Sequence, residues 1–416
     1  MAEGSPIYQF GPFRLEVGER RLLADGRQVP LRTKVFDTLR VLVEQSGRLL
    51  TKHELMQRIW PDTVVEENNL NHNVSTLRRA LGEQVTGQRY IETVPRVGYR
   101  FVAPVTRSAD SGVALEPAPP AAPERSLRQE IRFCAAKDGV RIAYSTVGDG
   151  PPLVKAANWL NHLEYEWESP VWKHWIEAIA KRQCFVRYDE RGCGLSDWQV
   201  RDLSFEAWVR DLEAVVDALG ADRFDLLGIS QGGAVAAAYA ARHPGRVKRL
   251  ILIGAYARGW RLRGNPKEIE GRTALIKLVG LGWGRNNPAF RQLFTLRFIP
   301  DAGPEQMQWF NDLQMVSSSP ENAARLMEEF SRVDVHAALA DIQAPTIVFH
   351  SERDAAIPFD EGRLMAAGIR GARFVPLPTR NHLVLAREPA WQVLLTELND
   401  FLGWSRHPDA APATAV

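Results

Sequence analysis

The sequence predicts two domains of different class: a small α+β domain at the N-terminal end, then a larger α/β domain carrying a helical cap. Three observations carry this prediction. From Glu130 onward, short continuous apolar runs alternate with helical segments, the pattern of a parallel sheet covered on both faces. Near the middle, "DLLGISQGG" (Asp225 to Gly233) wedges a serine between glycines where an apolar strand gives way to an alanine-rich helix. The first hundred residues show neither feature. "RSADSGVALEPAPPAAPER" (Arg107 to Arg125), rich in Ala, Pro and Ser, stands between them and the rest as a semi-extended linker. The expected limits are 1–105 for the first domain, 106–128 for the linker and 129–405 for the second domain. The cap is expected at about 257–340, with a disordered tail over 406–416.

Composition narrows the class. Hydrophobic residues make up 45% and charged residues 25% of the 416 positions, ordinary for a globular chain. No apolar run approaches the roughly 20 residues of a membrane helix, and the N-terminus has no basic-then-apolar leader pattern. A cytoplasmic protein without a membrane partner is therefore expected. Cys134, Cys184 and Cys193 are too few and too scattered for a disulfide framework or a zinc site, so neither metal nor cofactor is expected. The net charge of +2 is uninformative as a whole, but residues 1–105 hold 15 Lys/Arg against 12 Asp/Glu. Five arginines between Asn68 and Val105 (Arg78, Arg79, Arg89, Arg96, Arg100) face only Glu83 and Glu92, a local excess that suits phosphate.

In the first domain, "YQFGPFRLEVGERRLLADGRQVPL" alternates short apolar stretches with Gly and Asp-Gly turns, as small antiparallel strands do. "TKVFDTLRVLVEQSG" follows with Thr33 as a cap, Val35, Phe36, Leu39, Leu42 and Val43 at helical spacing, and Gly47 as the stop. Thr51 and Glu54 have capping-box spacing ahead of a second helix. In a third, Leu70, Val74, Leu77 and Leu81 form one stripe, which turns His72, Ser75, Thr76 and Arg79 to the opposite face. "RYIETVPRVGYRFV" closes the domain as a hairpin around Pro-Arg-Val-Gly.

Strands, three helices and a terminal hairpin, with "LRRALG" and "IETVPRVGYRF", resemble the winged-helix effector domain of OmpR/PhoB-type response regulators over nearly all of residues 8–104. The resemblance implies a third helix in the major groove of double-stranded DNA, a wing in the neighbouring minor groove, and homodimers on tandem half-sites. It places His72, Ser75, Thr76 and Arg79 at base edges and phosphates, Arg78 at the DNA backbone, and Arg96 and Arg100 in the wing. Two departures stand out. No phosphoacceptor domain precedes it, so control by phosphorylation is not expected, and Ser and Thr occupy groove positions where many relatives carry Arg. Tyr99 and Phe101 are expected to pack the wing on the third helix.

In the second domain "EIRFCAA" and "RIAYSTVG" form a hairpin turning at Lys137-Asp138-Gly139. "PPLVKAA", "CFVRYD", "FDLLGI", "VKRLILIG", "APTIVFH" and "ARFVPL" are the buried strands, with helices between them. Gly228-Ile229-Ser230-Gln231-Gly232 fits G-x-S-x-G, in which a sharp strand-to-helix turn pushes the serine hydroxyl into a pocket at a helix N-terminus. A nucleophilic serine needs a base and the base an orienting carboxylate. Asp354 lies just beyond one strand and His382 in the loop after the next, in the chain order Ser, Asp, His.

"GDGPPLV", "YDERGCGLSD", "LLGISQGG" and "HSERDAAIP" resemble the α/β-hydrolase superfamily from Ile131 to Trp404. The resemblance implies the catalytic set Ser230, Asp354 and His382. It also implies an oxyanion hole from the N–H of Gln231 and a second N–H after the third strand, that of Trp159 or, second, Asn158. It implies bracing roles for Asp189, Arg191 and Ser196, while Cys193 reads as a small filler. About 90 residues between "LILIGAY" and "APTIVFH" form four helical segments, a cap whose Trp283, Phe290, Phe294, Phe298, Trp309, Phe310 and Met315 suggest an apolar acyl ligand. Together these features point to a DNA-binding transcriptional regulator with a serine-hydrolase domain acting on or binding a small apolar ester, lactone or other acyl compound. The alternatives are a carboxylic-ester hydrolase with an accessory winged helix, and a non-catalytic receptor on a hydrolase fold.

Overall fold

Fully buried runs dictate where the strands form. The computed structural model describes residues 6–109 and 127–404 except 25, 30, 32, 61–66, 84–87, 95–96 and 285–287, and divides into two units, Met1–Glu124 and Arg125–Val416. In the first unit β1 (Pro6–Phe10), β2 (Phe13–Glu16), β3 (Arg21–Ala24) and β4 (Arg27–Val29) pair antiparallel in sequence. Helices α1 (Thr33–Glu44), α2 (Lys52–Ile59) and α3 (Glu67–Ala80) follow, with β5 (Leu49–Thr51) joining the hairpin β6 (Ile91–Val94) and β7 (Gly98–Phe101) in a three-stranded sheet.

The predicted periodicities are met. Leu70, Val74, Leu77 and Leu81 are all buried, packed with Phe36, Leu39 and Phe101 in one core. Thr51 and Glu54 form the capping box of α2. Thr33 instead opens α1 as its first helical residue. One boundary differs from expectation. Thr106–Ala109, expected as the start of the linker, forms β8, antiparallel to β1 (Tyr8 opposite Arg107), so the first domain's sheet closes on a strand from beyond residue 105. The cause is a free edge of β1, whose backbone groups need partners that "TRSA" supplies without any hydrophobic signal of its own.

The second unit is built on eight strands: β9 (Gln129–Ala135), β10 (Arg141–Val147), β11 (Pro152–Ala156), β12 (Cys184–Tyr188), β13 (Phe224–Ile229), β14 (Val247–Ile253), β15 (Thr346–Ser351) and β16 (Arg373–Leu377), in the order β16-β15-β14-β13-β11-β12-β10-β9. All pairs are parallel from β12 to β16; β9 and β10 are the antiparallel hairpin. All six residues of β13 and all six of β15 are buried, the mark of central strands covered on both faces. The helices Lys173–Ala180, Phe205–Leu219, Gln231–Arg242, Phe359–Gly368 and Pro389–Leu402 alternate with these strands along the chain. Between β14 and β15 come the four cap helices, Pro266–Gly282, Pro288–Phe298, Pro304–Ser317 and Pro320–Phe330, each opening on a proline, which fits a first helical turn.

Candidate active site and DNA-reading face

Ser230 stands between the end of β13 and the helix Gln231–Arg242, with φ 55° and ψ −128°. A side chain with a β-carbon pays on the order of 1–3 kcal/mol for such backbone, so the surroundings must enforce it. They do. The Ser230 N–H donates to the Ile253 carbonyl at 2.9 Å, and the Gly233 N–H to the Ser230 carbonyl at 3.0 Å. A β-carbon at Gly228 would come within 2.6 Å of Gly233 Cα, and one at Gly232 within 2.5 Å of the Ala157 carbonyl oxygen. Both glycines of G-x-S-x-G are thus required by close approach.

Asp354, three residues past β15, and His382, in the loop after β16, meet there: His382 Nδ1 lies 2.7 Å from Asp354 Oδ2. Asp354 Oδ1 accepts from the N–H groups of Ala356 and Ile357 at 2.7 and 2.9 Å. Burial alone would push the Asp354 carboxyl up. The charge and hydrogen bond of His382, with His350 and the Ile357 amide, outweigh it and hold the carboxyl below its ordinary value. The carboxylate fixes the proton on Nδ1, which leaves Nε2 as the basic nitrogen. Nε2 is buried and has no hydrogen-bond partner among the described residues. The imidazole packs on Gly254, where a β-carbon would fall 2.9 Å from its Cε1. Since Gly254 directly follows the residue that binds the Ser230 N–H, the ring sits beside the elbow. The cap also holds this loop: the His382 N–H donates to the Phe298 carbonyl at 2.8 Å, and Asn381 Oδ1 accepts from the Asp301 N–H at 2.9 Å.

Ser230 opens into a pocket shared by the elbow and the cap, with Phe294, Phe298, Met327 and Phe330 among its walls. Of the seven cap residues expected to meet a ligand, Phe294 and Phe298 line it. Trp309 is buried against Tyr165 outside the cap and Phe310 against Phe298, and Trp283 stacks on Trp159 at 5.0 Å between ring centres. Phe290 and Met315 are not among its walls.

The expected oxyanion donors come together with one twist. Trp159 and Gln231 both line the pocket, but the Trp159 N–H donates to the Gln231 side-chain oxygen at 3.0 Å. Gln231 Nε2 in turn donates to Glu190 Oε1 at 2.7 Å. Burial pushes the Glu190 carboxyl well above the usual range, Asp211 adds to this, and Lys155, Arg191 and the Gln231 amide counter it only in part. Asn158 is buried outside the pocket walls and gives its carbonyl to Asn161 Nδ2 at 3.0 Å.

The "YDERGCGLSD" loop braces. Asp189 accepts from the N–H groups of Leu163 (2.9 Å) and Leu195 (2.7 Å), and Arg191 bridges Asp138 and Asp211. Ser196 Oγ donates to the Asp189 carbonyl. Cys193 is wholly buried, which drives its thiol far above the ordinary value and leaves it inert. Sequence reasoning missed three things: the Gln231–Glu190 link, His350 Nε2 at 3.7 Å from Asp354 Oδ2, and three arginines in the pocket wall, Arg263, Arg272 and Arg297. Nothing in the sequence signalled the last, because the three sit on two different helices and the turn before them.

On α3, Ser75 is exposed and Thr76 half-buried. The side chains of His72 and Arg79, on the same helix, and all of Arg96 lie outside the described residues. Arg78, expected at the DNA backbone, is instead engaged within the domain. Its Nη2 donates to the Ile91 carbonyl (2.9 Å) and Thr93 Oγ1 (2.6 Å) of β6, and its Nε lies 3.4 Å from Glu83 Oε2. Arg100 pairs with Glu92 at 3.3 Å. Tyr99 packs on α3 as expected, its hydroxyl donating to Asn71 Oδ1 at 2.7 Å. Among the described residues no helix is long and apolar enough to cross a membrane.

Comparison with known proteins assigns both units. Residues 162–389 match the model of the α/β hydrolase fold, and residues 26–101 that of the C-terminal domain of transcriptional regulatory proteins. The chain is 28% identical over 257 residues to the AB hydrolase superfamily protein YisY of Bacillus subtilis, 60% of this chain and 91% of that one. It is 37% identical over 84 residues to the transcriptional regulator HilA of Salmonella typhi, 20% of this chain but only 15% of HilA. The crystal structure of a hydrolase from Pseudomonas aeruginosa matches 66% of this chain and 98% of its own, with a TM-score of 0.55 and 25% identity. The two matches cover the two units in turn: the chain belongs to the α/β-hydrolase family and carries an OmpR/PhoB-type DNA-binding domain ahead of it.

Proposed function

We propose that this protein is a transcriptional regulator whose hydrolase domain acts on a small ester, lactone or similar acyl compound through Ser230, His382 and Asp354. The observation that carries the reading is the 2.7 Å contact between His382 Nδ1 and Asp354 beside a strained serine elbow, in a chain that also bears a regulator domain. In this scheme Ser230 Oγ attacks the carbonyl carbon while its proton passes to His382 Nε2. Asp354 stabilises the imidazolium, and the same proton then goes to the departing alcohol. Water, activated by Nε2, hydrolyses the acyl-serine and restores the hydroxyl. The Gln231 N–H binds the oxyanion, and the Trp159 N–H joins it once the Gln231 side chain turns away. Ligand capture or turnover under the cap changes the affinity of a homodimer for its DNA sites.

One observation favours a second reading, a receptor without turnover: the Gln231 amide oxygen holds the second oxyanion donor. Labelling with a fluorophosphonate, followed by mass spectrometry, tests the nucleophile; a wild-type adduct at Ser230 that Ser230→Ala lacks is expected, and an unlabelled wild type favours the receptor. Gel shift on the DNA upstream of its own coding sequence tests the regulator. No shift even at low salt leaves a plain hydrolase with an accessory domain.

A further inference from the structure

The pocket above Ser230 is not the purely apolar cavity its cap sequence suggests. Arg263, Arg272 and Arg297 all line it, and among the described residues no acidic one does. Glu268 sits behind the wall and takes two of the three: Arg263 Nη2 at 3.0 Å and Arg272 Nε at 2.7 Å. Arg272 Nη2 also donates to the Ala356 carbonyl at 2.7 Å, so Arg272 is held as part of the wall. The other two have donors to spare. The Arg263 side chain is only 7% exposed, yet its Nε and Nη1 are buried with no hydrogen-bond partner among the described residues. The Arg297 side chain, one residue before the Phe298 that binds the His382 loop, makes no hydrogen bond or ion pair among the described residues. Glu268, with Asp354 acting on Arg297 from beyond the wall, leaves the three guanidinium groups in excess over the carboxylates near them. Burial and mutual repulsion act in the same sense, lowering the pKa of Arg272 to about 10 and that of Arg297 below its ordinary value.

Folding gains nothing from such an arrangement. Unpartnered buried donors are costly, and like charges in a low-dielectric wall repel. Sites of this kind persist where a ligand supplies the missing partner. Apolar walls flank the arginines on the cap side, and the elbow serine opens into the same space.

We propose that the compound bound over Ser230 carries a carboxylate as well as its acyl bond, with Arg297 and Arg263 holding that carboxylate at the cap end of the pocket. This rests on the reading of Ser230 as a nucleophile, and it narrows the substrate class from neutral esters to half-esters and lactone acids. Guanidinium matches a planar carboxylate, and inside a water-poor pocket a charge-assisted contact outweighs the methyl-for-carboxylate difference in size.

The experiment compares 4-nitrophenyl hexanoate with the mono-4-nitrophenyl ester of adipic acid, which has the same acyl length with a terminal carboxylate. Ring closure by that carboxylate is too slow at this length to mask enzymatic turnover. The adipate ester is expected to be preferred in kcat/KM by about tenfold or more. In Arg297→Gln the ratio falls to near unity, and Arg297→Lys restores part of it. In parallel, Ser230→Ala is titrated calorimetrically with monomethyl and dimethyl adipate; tighter binding of the monoacid by about tenfold is expected. Equal kcat/KM for the two esters, or a preference that survives in both Arg297→Gln and Arg263→Met, overturns the proposal while leaving Ser230 as nucleophile. If neither ester is cleaved and Ser230 takes no fluorophosphonate, the nucleophile fails alone and the titration decides the carboxylate: equal affinity for mono- and diester overturns it, a monoacid preference upholds it.

Discussion

The two domains handle polar groups in opposite ways. In the winged domain the arginines pair at the surface, Arg20 with Asp37, Arg48 with Glu54 and Arg100 with Glu92, and buried polar side chains are limited among the described residues to Glu16, Thr38 and Asn73. In the hydrolase domain Lys155, Asp189, Glu190, Arg191, Asp211, His350 and His382 are all buried, most of them locked in hydrogen bonds. Burial there also leaves some atoms without a partner, His382 Nε2 and two Arg263 nitrogens among them. At a wet surface an unpaired Ser75 is satisfied by water.

The sharpest way to break this comparison is at the elbow. Ser230→Ala is expected to lower kcat for an activated ester by roughly 10⁵-fold, and Asp354→Asn by about 10⁴-fold, with circular dichroism unchanged. A variant that keeps a tenth of wild-type activity removes Ser230 from the chemistry. Next in size is Gly232→Ala, which sets a methyl 2.5 Å from the Ala157 carbonyl oxygen. Urea titration should show a loss of about 3 kcal/mol in the hydrolase transition; wild-type stability contradicts the close approach described for the elbow.

A pair of substitutions sharpens the contrast in the winged domain. Arg78→Met should cost about 1–2 kcal/mol of that domain's stability, since it strips β6 and Glu83 of their partner. Ser75→Glu should leave stability within about 0.5 kcal/mol and weaken DNA binding by tenfold or more in gel shift. Reversed results place Arg78 on the phosphates and Ser75 in the fold.

The smallest expected effect is on pH dependence. Burial lowers the His174 pKa from 6.5 to about 4, against the opposing pull of the Val384 carbonyl. The unfolded chain takes up this proton near pH 6.5 and the folded chain not until about 4. The contribution is therefore intact above pH 6.5 and declines as the pH falls toward 4. His174→Phe, which keeps the edge-on contact with Trp391, should flatten the fall in Tm between those values; an unaltered slope assigns the acid sensitivity elsewhere.

Much of this was readable in advance because the strongest signals are those of burial and order. Continuous apolar runs located β11 to β16, and a serine, a carboxylate and an imidazole after β13, β15 and β16 pointed to the proposed site. What stayed hidden depends on partners distant in the chain. "TRSA" is a strand only because β1 offers an edge, and the phosphate contact expected of Arg78 did not anticipate that Glu83 and β6 claim its nitrogens. Arg263, Arg272 and Arg297 are spread over two helices and a turn, so no periodicity announces that they share a wall.

The hydrogen bonds from the cap to the His382 loop have a consequence for timing. Phe298 holds the imidazole's own backbone, and Asp301 grips its neighbour. If the helix ending at Phe298 lifts to admit a visitor, the proton acceptor loosens with it. An open door is then an unarmed one, and the gun is cocked only after the guest is enclosed.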